Sequence, residues 1–314
     1  MPKFTRRAAL GVLTASLGVG AYTYAQRQRG VRAAAALYTT PLEKPEGALR
    51  VFHLGHSLVG RDMPAMLAQL AGQDHRYESQ LGWGTSLKEH WEPDLTINGF
   101  ETENAHPRFR DAKEALNSGD YTAVVLTEMV DIADAIRYHD SADYLALWAG
   151  LAWDANPKAR IYLYETWPHT DDSAGWLTRI DHDLRKFWQG RMKYPALASG
   201  RAPIHLIPAG QVKAAFVRAV QGQEGPGGIS GVEGLMAKQA DGTPDTIHFN
   251  DLGAYLVALT HYAVLYHRSP VGLPYKLLRA DGTQAIAPNP VVAALMQRIV
   301  WEVVTRHPET GVAV

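Results

Sequence analysis

The sequence predicts an α/β fold in which a parallel β-sheet is covered by helices on both faces. Two observations lead to this class. Short apolar runs alternate along the chain with longer segments whose apolar residues recur at helical spacing. Turn residues such as glycine, proline and asparagine separate these segments. Strands that alternate with helices favour parallel pairing, because each crossover helix returns the chain to the same end of the sheet.

The elements follow one another in a regular order. Strands are predicted, from the apolar runs, at Leu49–Leu54, Tyr77–Leu81, Ala123–Leu126, Arg160–Tyr164 and Ile204–Ile207. Helices are predicted, from apolar spacing, at Met63–Gly72, Tyr144–Ala155, Trp176–Gln189, Gln211–Val220, Leu252–Tyr266 and Val291–Val304. The glycine-rich stretch Gly222–Gly234 is predicted to be an irregular loop. We therefore expect one domain over residues 48–314, preceded by a linker over residues 36–47.

Residues 1–35 have the pattern of an export signal or an N-terminal anchor. Lys3, Arg6 and Arg7 precede an uncharged run rich in alanine, leucine, valine and glycine, the order found in a secretory signal. The Arg6-Arg7 pair resembles a twin-arginine signal. An ordinary N-terminal helix is the alternative. We therefore expect an exported protein, periplasmic or extracellular, with membrane attachment possible only through this segment.

Composition excludes several classes of function. Lys and Arg together number 31 and Asp and Glu 32, so the charge balance gives no reason to expect a nucleic-acid partner. The chain has no cysteine, which excludes disulfides, thiolate metal sites and a cysteine nucleophile. Its 13 histidines lack a matching cluster of carboxylates, so we expect no metal site.

A serine follows the first predicted strand, in the sequence Gly55-His56-Ser57-Leu58. Ligand sites in open α/β sheets form at the carboxyl ends of the strands. A serine there is a candidate nucleophile, provided that a base lies within hydrogen-bond distance of its hydroxyl. The alternative is a turn or helix-capping serine.

The sequence Asp245-Thr246-Ile247-His248 supplies a candidate base just before a strongly apolar helix. The spacing lets the carboxylate fold back in a turn and accept a hydrogen bond from Nδ1 of the histidine. Nε2 would then be free to take a proton from a serine. The alternative is that the aspartate caps the helix and the histidine lies in a loop.

Glycines follow the second predicted strand, in the sequence Gly82-Trp83-Gly84-Thr85-Ser86. Glycine lets a backbone N–H approach a substrate oxygen closely, as an oxyanion donor must. A tight turn is the alternative.

The order of these three blocks resembles the SGNH (GDSL-like) hydrolase superfamily, and specifically a bacterial branch with a Gly-His-Ser-Leu first block. The resemblance covers about residues 49–266. It implies a flavodoxin-like, three-layer α/β/α sandwich with a five-stranded parallel sheet. It also implies ester hydrolysis without a metal or cofactor, with Ser57 as nucleophile, His248 as base and Asp245 orienting the base.

Two departures from that pattern affect the site. His56 stands where the superfamily has aspartate, and Thr127-Glu128 stands where it has an asparagine that donates to the oxyanion. A carboxylate such as Glu128 cannot donate, whereas the Thr127 hydroxyl can. We expect the backbone N–H groups of Ser57 and Gly84 to hold the oxyanion. Gly82 is the alternative glycine, and Thr127 is a further candidate donor.

The expected substrate is a short acyl ester of a small molecule or a glycan, with acetyl as the specific candidate. The side chains expected to contact it are His56, Trp83, Glu128, Trp167 and His169. An acyltransferase that uses the same site is one alternative. The other is a non-catalytic envelope-binding protein on a degenerate hydrolase fold.

Overall fold

The computed structural model describes residues 6–221 and 226–313. Its central feature is a five-stranded sheet of order β2-β1-β3-β4-β5 in which every neighbouring pair is parallel. The strands are β1 (Leu49–His56), β2 (His75–Gly82), β3 (Ala123–Leu126), β4 (Arg160–Glu165) and β5 (Ile204–Pro208). All five predicted strands are confirmed.

Helices connect these strands and flank them. They are α1 (Arg6–Leu37), α2 (Asp62–Ala71), α3 (Leu87–Trp91), α4 (Phe100–Asn104), α5 (Ala112–Asn117), α6 (Ile132–Tyr138), α7 (Ser141–Ala155), α8 (Trp176–Asp183), α9 (Tyr194–Ala196), α10 (Ala209–Val220), α11 (Asp251–Tyr266) and α12 (Pro290–Arg306). The helix predicted over Trp176–Gln189 is α8 followed by a π-helical segment, Leu184–Lys193. The short helices α3 to α6 were not predicted.

Two apolar cores cover the two faces of the sheet. Alternate residues of a strand point to opposite faces, so Val51 belongs to one core and its neighbour Phe52 to the other. Helices α2, α10, α11 and α12 contribute to the first core, and α5, α7 and the π-helical segment to the second. The fold is therefore the expected three-layer α/β/α sandwich.

Helix α1 continues past residue 35 into the expected linker, and its C-terminal part packs on the domain. Gly30 and Ala34 are buried. A Cβ at Gly30 would lie 1.6 Å from the carbonyl oxygen of Tyr194, so only glycine allows this approach. Beyond the helix, the Tyr38 hydroxyl donates a hydrogen bond to the Ile204 carbonyl. The expected export signal includes Lys3, which lies outside the described residues.

Over residues 6–221 and 226–313, no helix combines the length and hydropathy required to cross a bilayer.

A small antiparallel hairpin lies apart from the main sheet. It pairs β6 (Met236–Lys238) with β7 (Pro244–Phe249). The sequence predicted only a turn around residues 245–248 and an irregular loop over 222–234. Part of that loop forms 3₁₀ turns at Pro226–Gly228 and Val232–Leu235. Residues 222–225 lie outside the described part.

Candidate active site

Ser57 lies in a tight turn at the carboxyl end of β1. The N–H groups of Val59 and Gly60 both donate to the carbonyl of His56, at 2.8 and 3.3 Å, which turns the chain sharply after the strand. At Gly55 an added Cβ would lie 2.4 Å from the Thr127 side chain, so β1 and β3 approach too closely for a larger residue. The turn thus places the Ser57 hydroxyl at the edge of the sheet where ligand sites form.

Three side chains form a continuous chain of hydrogen bonds at this edge. Nε2 of His248 lies 3.0 Å from Oγ of Ser57, and Nδ1 of His248 lies 2.8 Å from Oδ2 of Asp245. A carboxylate can only accept, so the proton is on Nδ1 and the unprotonated Nε2 accepts from the serine hydroxyl. This arrangement can remove the hydroxyl proton as the oxygen attacks an electrophile.

The Asp245 carboxylate folds back as the spacing predicted. Its Oδ1 accepts from the N–H groups of Ile247 and His248 at 2.7 and 2.8 Å, while Oδ2 faces the imidazole. Burial opposes ionisation, but these N–H groups and the imidazole outweigh it and lower the pKa of Asp245. The group that orients the histidine is therefore ionised at neutral pH.

The loop after β4 holds β7 in place. The Trp167 indole N–H donates to the Ile247 carbonyl at 2.9 Å, and the Thr170 N–H donates to the Thr246 carbonyl at 2.8 Å. Contrary to expectation, Trp167 does not line the site: it is only 2% exposed and packs behind β7. It supports the strand that carries His248. His169 does border the site, where Nδ1 hydrogen-bonds the Thr246 hydroxyl.

His56 fixes the turn from within the protein. Its ring is 1% exposed; Nε2–H donates to the Glu128 carbonyl at 2.9 Å, and Nδ1 accepts from the Leu58 N–H at 3.4 Å. Burial lowers the pKa of His56 to about 4, so the ring is neutral at neutral pH. His56 borders the cavity, but both of its ring nitrogens are hydrogen-bonded to the backbone and are therefore unavailable to a substrate.

Glu128 does not reach the cavity, contrary to expectation. Its carboxyl group is fully buried and accepts from the N–H groups of Leu87 and Met129. Burial raises the pKa of Glu128 to about 7. The residue joins β3 to α3, and its backbone carbonyl accepts the hydrogen bond from His56.

The expected oxyanion donors divide into two groups. Ser57 and Gly84 border the cavity, and Gly84 has a φ of +56° with open space at its Cβ position. Gly82 does not border it, because it is packed against Thr85 and Ile97. Thr127 is fully buried and its hydroxyl donates to the Tyr164 carbonyl at 2.8 Å, so its proton is already engaged. Two of the four expected donors are thus placed to contact a substrate.

His90, which was not predicted to be a site residue, supports the end of β1. Its Nε2–H donates to the Gly55 carbonyl at 2.8 Å, and Nδ1 accepts from the Gln80 amide at 3.0 Å. A capping box between Ser86 and Glu89 begins the helix that carries it. His56 and His90 together anchor the backbone around the turn that carries Ser57.

Of the three hydrogen-bonded side chains, Ser57 and His248 line a cavity of about 520 Å³, whereas Asp245 does not border it. Its other lining residues are His56, Leu58, Trp83, Gly84, Glu103, Val130, His169 and Ile247. Glu103 reaches the cavity because its helix, α4, packs on β2. The neighbouring Asn104 side chain hydrogen-bonds both the N–H and the carbonyl of Leu81 in that strand. No local motif marks Glu103, so sequence patterns alone could not have identified it.

A second cavity of about 660 Å³ lies along the edge of β2. Arg61, Arg108 and Arg279 face Asp62 and Asp281 there, so the charges of its lining largely balance. Ser79 lines this cavity, and in the described part of the chain its side chain has no hydrogen bond to a histidine, unlike that of Ser57.

Comparisons with known proteins identify no family. No family model matches the chain, and no curated protein matches it. A solved structure described as a GDSL-like lipase from Parabacteroides merdae is 12% identical, covers 71% of this chain and 99% of its own, and has a TM-score of 0.43. The aryl esterase of M. smegmatis is 14% identical, with coverages of 68% and 97% and a TM-score of 0.34.

A carbohydrate esterase of family 3 from Talaromyces cellulolyticus is likewise 14% identical, with coverages of 69% and 96% and a TM-score of 0.33. At these levels of similarity we base the function on the geometry of the site.

Proposed function

We propose that this protein is a serine esterase in which Ser57 is the nucleophile, His248 the general base and Asp245 the residue that orients the base. The observation that carries the proposal is the continuous chain Asp245 Oδ2–His248 Nδ1 and His248 Nε2–Ser57 Oγ, at 2.8 and 3.0 Å, beside an open cavity. Such a chain activates a hydroxyl that is otherwise a weak nucleophile.

The reaction proceeds by acyl transfer through the serine. Oγ of Ser57 forms a bond to the ester carbonyl carbon while its proton passes to Nε2 of His248. The bond from that carbon to the alcohol oxygen then breaks, and the imidazolium returns the proton to the departing oxygen. Water attacks the acyl-enzyme with the same base, and the carboxylic acid leaves as Ser57 recovers its proton.

The negative charge of the tetrahedral intermediate requires hydrogen-bond donors at the carbonyl oxygen. The backbone N–H groups of Ser57 and Gly84 fill this role in the proposal, since both residues border the cavity. The buried Thr127 and Glu128 supply no third donor. Loss of one donor from an oxyanion hole typically costs about 10²–10³ in kcat, so we expect a moderate turnover rate.

The acyl group is proposed to be short, with acetyl as the specific candidate. Apolar side chains of Leu58, Val130 and Ile247 border the cavity together with Ser57. They suit a small apolar group and offer no charge to a polar one.

Labelling with a fluorophosphonate probe tests the nucleophile directly. The full chain is expected to be labelled at one serine, and Ser57→Ala is expected to abolish the label. Ser173→Ala, which changes an exposed serine outside the cavity, serves as the matched control and is expected to label normally. Folded protein that stays unlabelled, or a label that persists in Ser57→Ala, contradicts the proposal; the first result favours a binding protein.

A further inference from the structure

Trp83 is half exposed at the rim of the cavity, yet it is held in one orientation. Its side chain is 51% exposed, which is unusual for so large an apolar group. The indole N–H donates to Oε1 of Glu103 at 2.7 Å, and its backbone N–H donates to the Asn98 carbonyl at 2.7 Å. The protein therefore presents a fixed aromatic surface where a mobile polar side chain would be ordinary.

Gly99 makes room for this arrangement. A Cβ at this position would lie 2.3 to 2.6 Å from three atoms of the indole ring, so the backbone packs directly on one face of Trp83. Gly99 also has a φ of +70°, which glycine adopts without strain. One face is covered by Gly99 and the N–H is bound to Glu103, yet Trp83 stays 51% exposed and borders the same cavity as Ser57.

Trp83 is also adjacent in sequence to a proposed oxyanion donor. Trp83 directly precedes Gly84, whose N–H holds the oxyanion in the proposed mechanism, and consecutive Cα atoms are about 3.8 Å apart. Since Trp83 and Ser57 border the same cavity, a group on the indole contacts whichever part of the substrate extends beyond the carbonyl. In an ester with a short acyl group that part is the alcohol.

We propose that the alcohol portion of the ester is a sugar ring that stacks on Trp83 while one of its hydroxyl groups donates to Glu103. This inference rests on the proposed esterase function. The indole face is electron-rich and attracts the C–H bonds of a sugar face. Glu103 uses Oε1 for the indole, and no protein donor in the described part of the chain binds Oε2, so that oxygen is open to a hydroxyl. A flat aryl ring offers no such hydroxyl.

The kinetic test compares an acetylated methyl glycoside, phenyl acetate and ethyl acetate as substrates. In Trp83→Ala, the ratio of kcat/KM for the glycoside to kcat/KM for ethyl acetate is expected to fall about tenfold, the size of one stacking contact. Trp83→Phe should recover most of that ratio. Tyr138→Ala, an exposed aromatic residue that does not line the cavity, should leave the ratio at its wild-type value.

Two kinetic outcomes would overturn the inference. One is an unchanged glycoside-to-ethyl-acetate ratio in Trp83→Ala. The other is a loss that is as large for phenyl acetate as for the glycoside, which would assign the indole to an aryl ring.

A binding test separates this inference from the esterase proposal. Saturation-transfer NMR with Ser57→Ala protein and methyl glucoside reports stacking without any turnover. Binding that is present in Ser57→Ala and lost in the double variant Ser57→Ala/Trp83→Ala supports the sugar site even if no ester is cleaved. Absence of binding in Ser57→Ala, with ester hydrolysis intact in the wild type, contradicts the sugar site and leaves the esterase proposal standing.

Discussion

The Nε2–H of His56 donates a hydrogen bond to the carbonyl oxygen of Glu128, 2.9 Å away, and so connects the turn that carries Ser57 to the chain that follows β3. Nδ1 of the same ring accepts from the Leu58 N–H. One buried neutral imidazole thus fixes the backbone on both sides of Ser57.

We expect His56→Ala to lower kcat about tenfold or more and to change KM less. The reason is that the Leu58 N–H and the Glu128 carbonyl, both buried, lose their hydrogen-bond partner, so that the turn relaxes. Stability should fall by about 1–3 kcal/mol. Steady-state kinetics and urea unfolding measure the two effects. His182→Ala, at a half-exposed ring remote from the cavity, is the control. A wild-type kcat in His56→Ala would show that the ring does not position the nucleophile.

Asp245→Asn is expected to lower kcat by about 10³- to 10⁴-fold with a small change in KM. The amide can donate to Nδ1, which places the imidazole proton on Nε2 and removes the acceptor for the serine hydroxyl. The rate of fluorophosphonate labelling should fall in parallel. Retention of a tenth or more of the wild-type kcat would argue against the role given to Asp245.

The buried His261 links stability to pH. Burial lowers its pKa from 6.5 to about 4, so between these values the unfolded chain binds more protons than the folded one. Its contribution to the free energy of unfolding therefore falls as the pH drops from about 6.5 towards 4. Burial raises the pKa values of Glu128 and Glu165, so their contributions to the free energy of unfolding change with pH in the opposite direction. The test therefore compares two proteins that differ only at residue 261.

We expect the stability difference between wild type and His261→Phe to shift by about 2 kcal/mol between pH 7 and pH 5, in favour of the variant at pH 5. Urea unfolding of both proteins at each pH measures it. An identical difference at the two pH values would mean that His261 titrates normally in the folded protein.

Gly99→Ala is expected to displace the Trp83 indole, because the new methyl group would overlap the ring. The glycoside-to-ethyl-acetate ratio of kcat/KM should then fall in the same direction as in Trp83→Ala, while Ser57 remains labelled by the fluorophosphonate. Gly47→Ala is the matched control: Gly47 has a similar positive φ of +77° but no atom near its Cβ position. An equal effect of both substitutions would attribute the change to backbone strain alone.

The strands of the main sheet were predictable mainly from short, largely apolar runs near turn residues, although β2 (His75–Gly82) also carries Glu78, Ser79 and Gln80. Ala123–Leu126, for example, is buried along its whole length and begins and ends where predicted. The fold-back of Asp245 onto His248 was predictable for a similar reason, since three residues of chain determine it.

The remaining features depend on contacts between distant segments. The sequence does not reveal that the Thr127 hydroxyl is engaged by β4, or that the Trp167 indole faces the Ile247 carbonyl. Glu103 joins the site only because α4 packs on β2. The hairpin strand β7 escaped prediction because its residues are only partly buried and show no clear alternation.

The nucleophile and its proposed base belong to different sheets. Ser57 follows a strand of the five-stranded sheet, whereas His248 lies in the separate two-stranded hairpin, which the loop after β4 holds through Trp167 and Thr170. In the proposed mechanism, a displacement of the hairpin by about 1 Å away from Ser57 would lengthen the 3.0 Å contact and lower the rate about 10²-fold, while both sheets stay folded. Binding of any molecule to this hairpin would therefore change the turnover rate. On heating, activity is expected to be lost at a lower temperature than the one at which the protein unfolds.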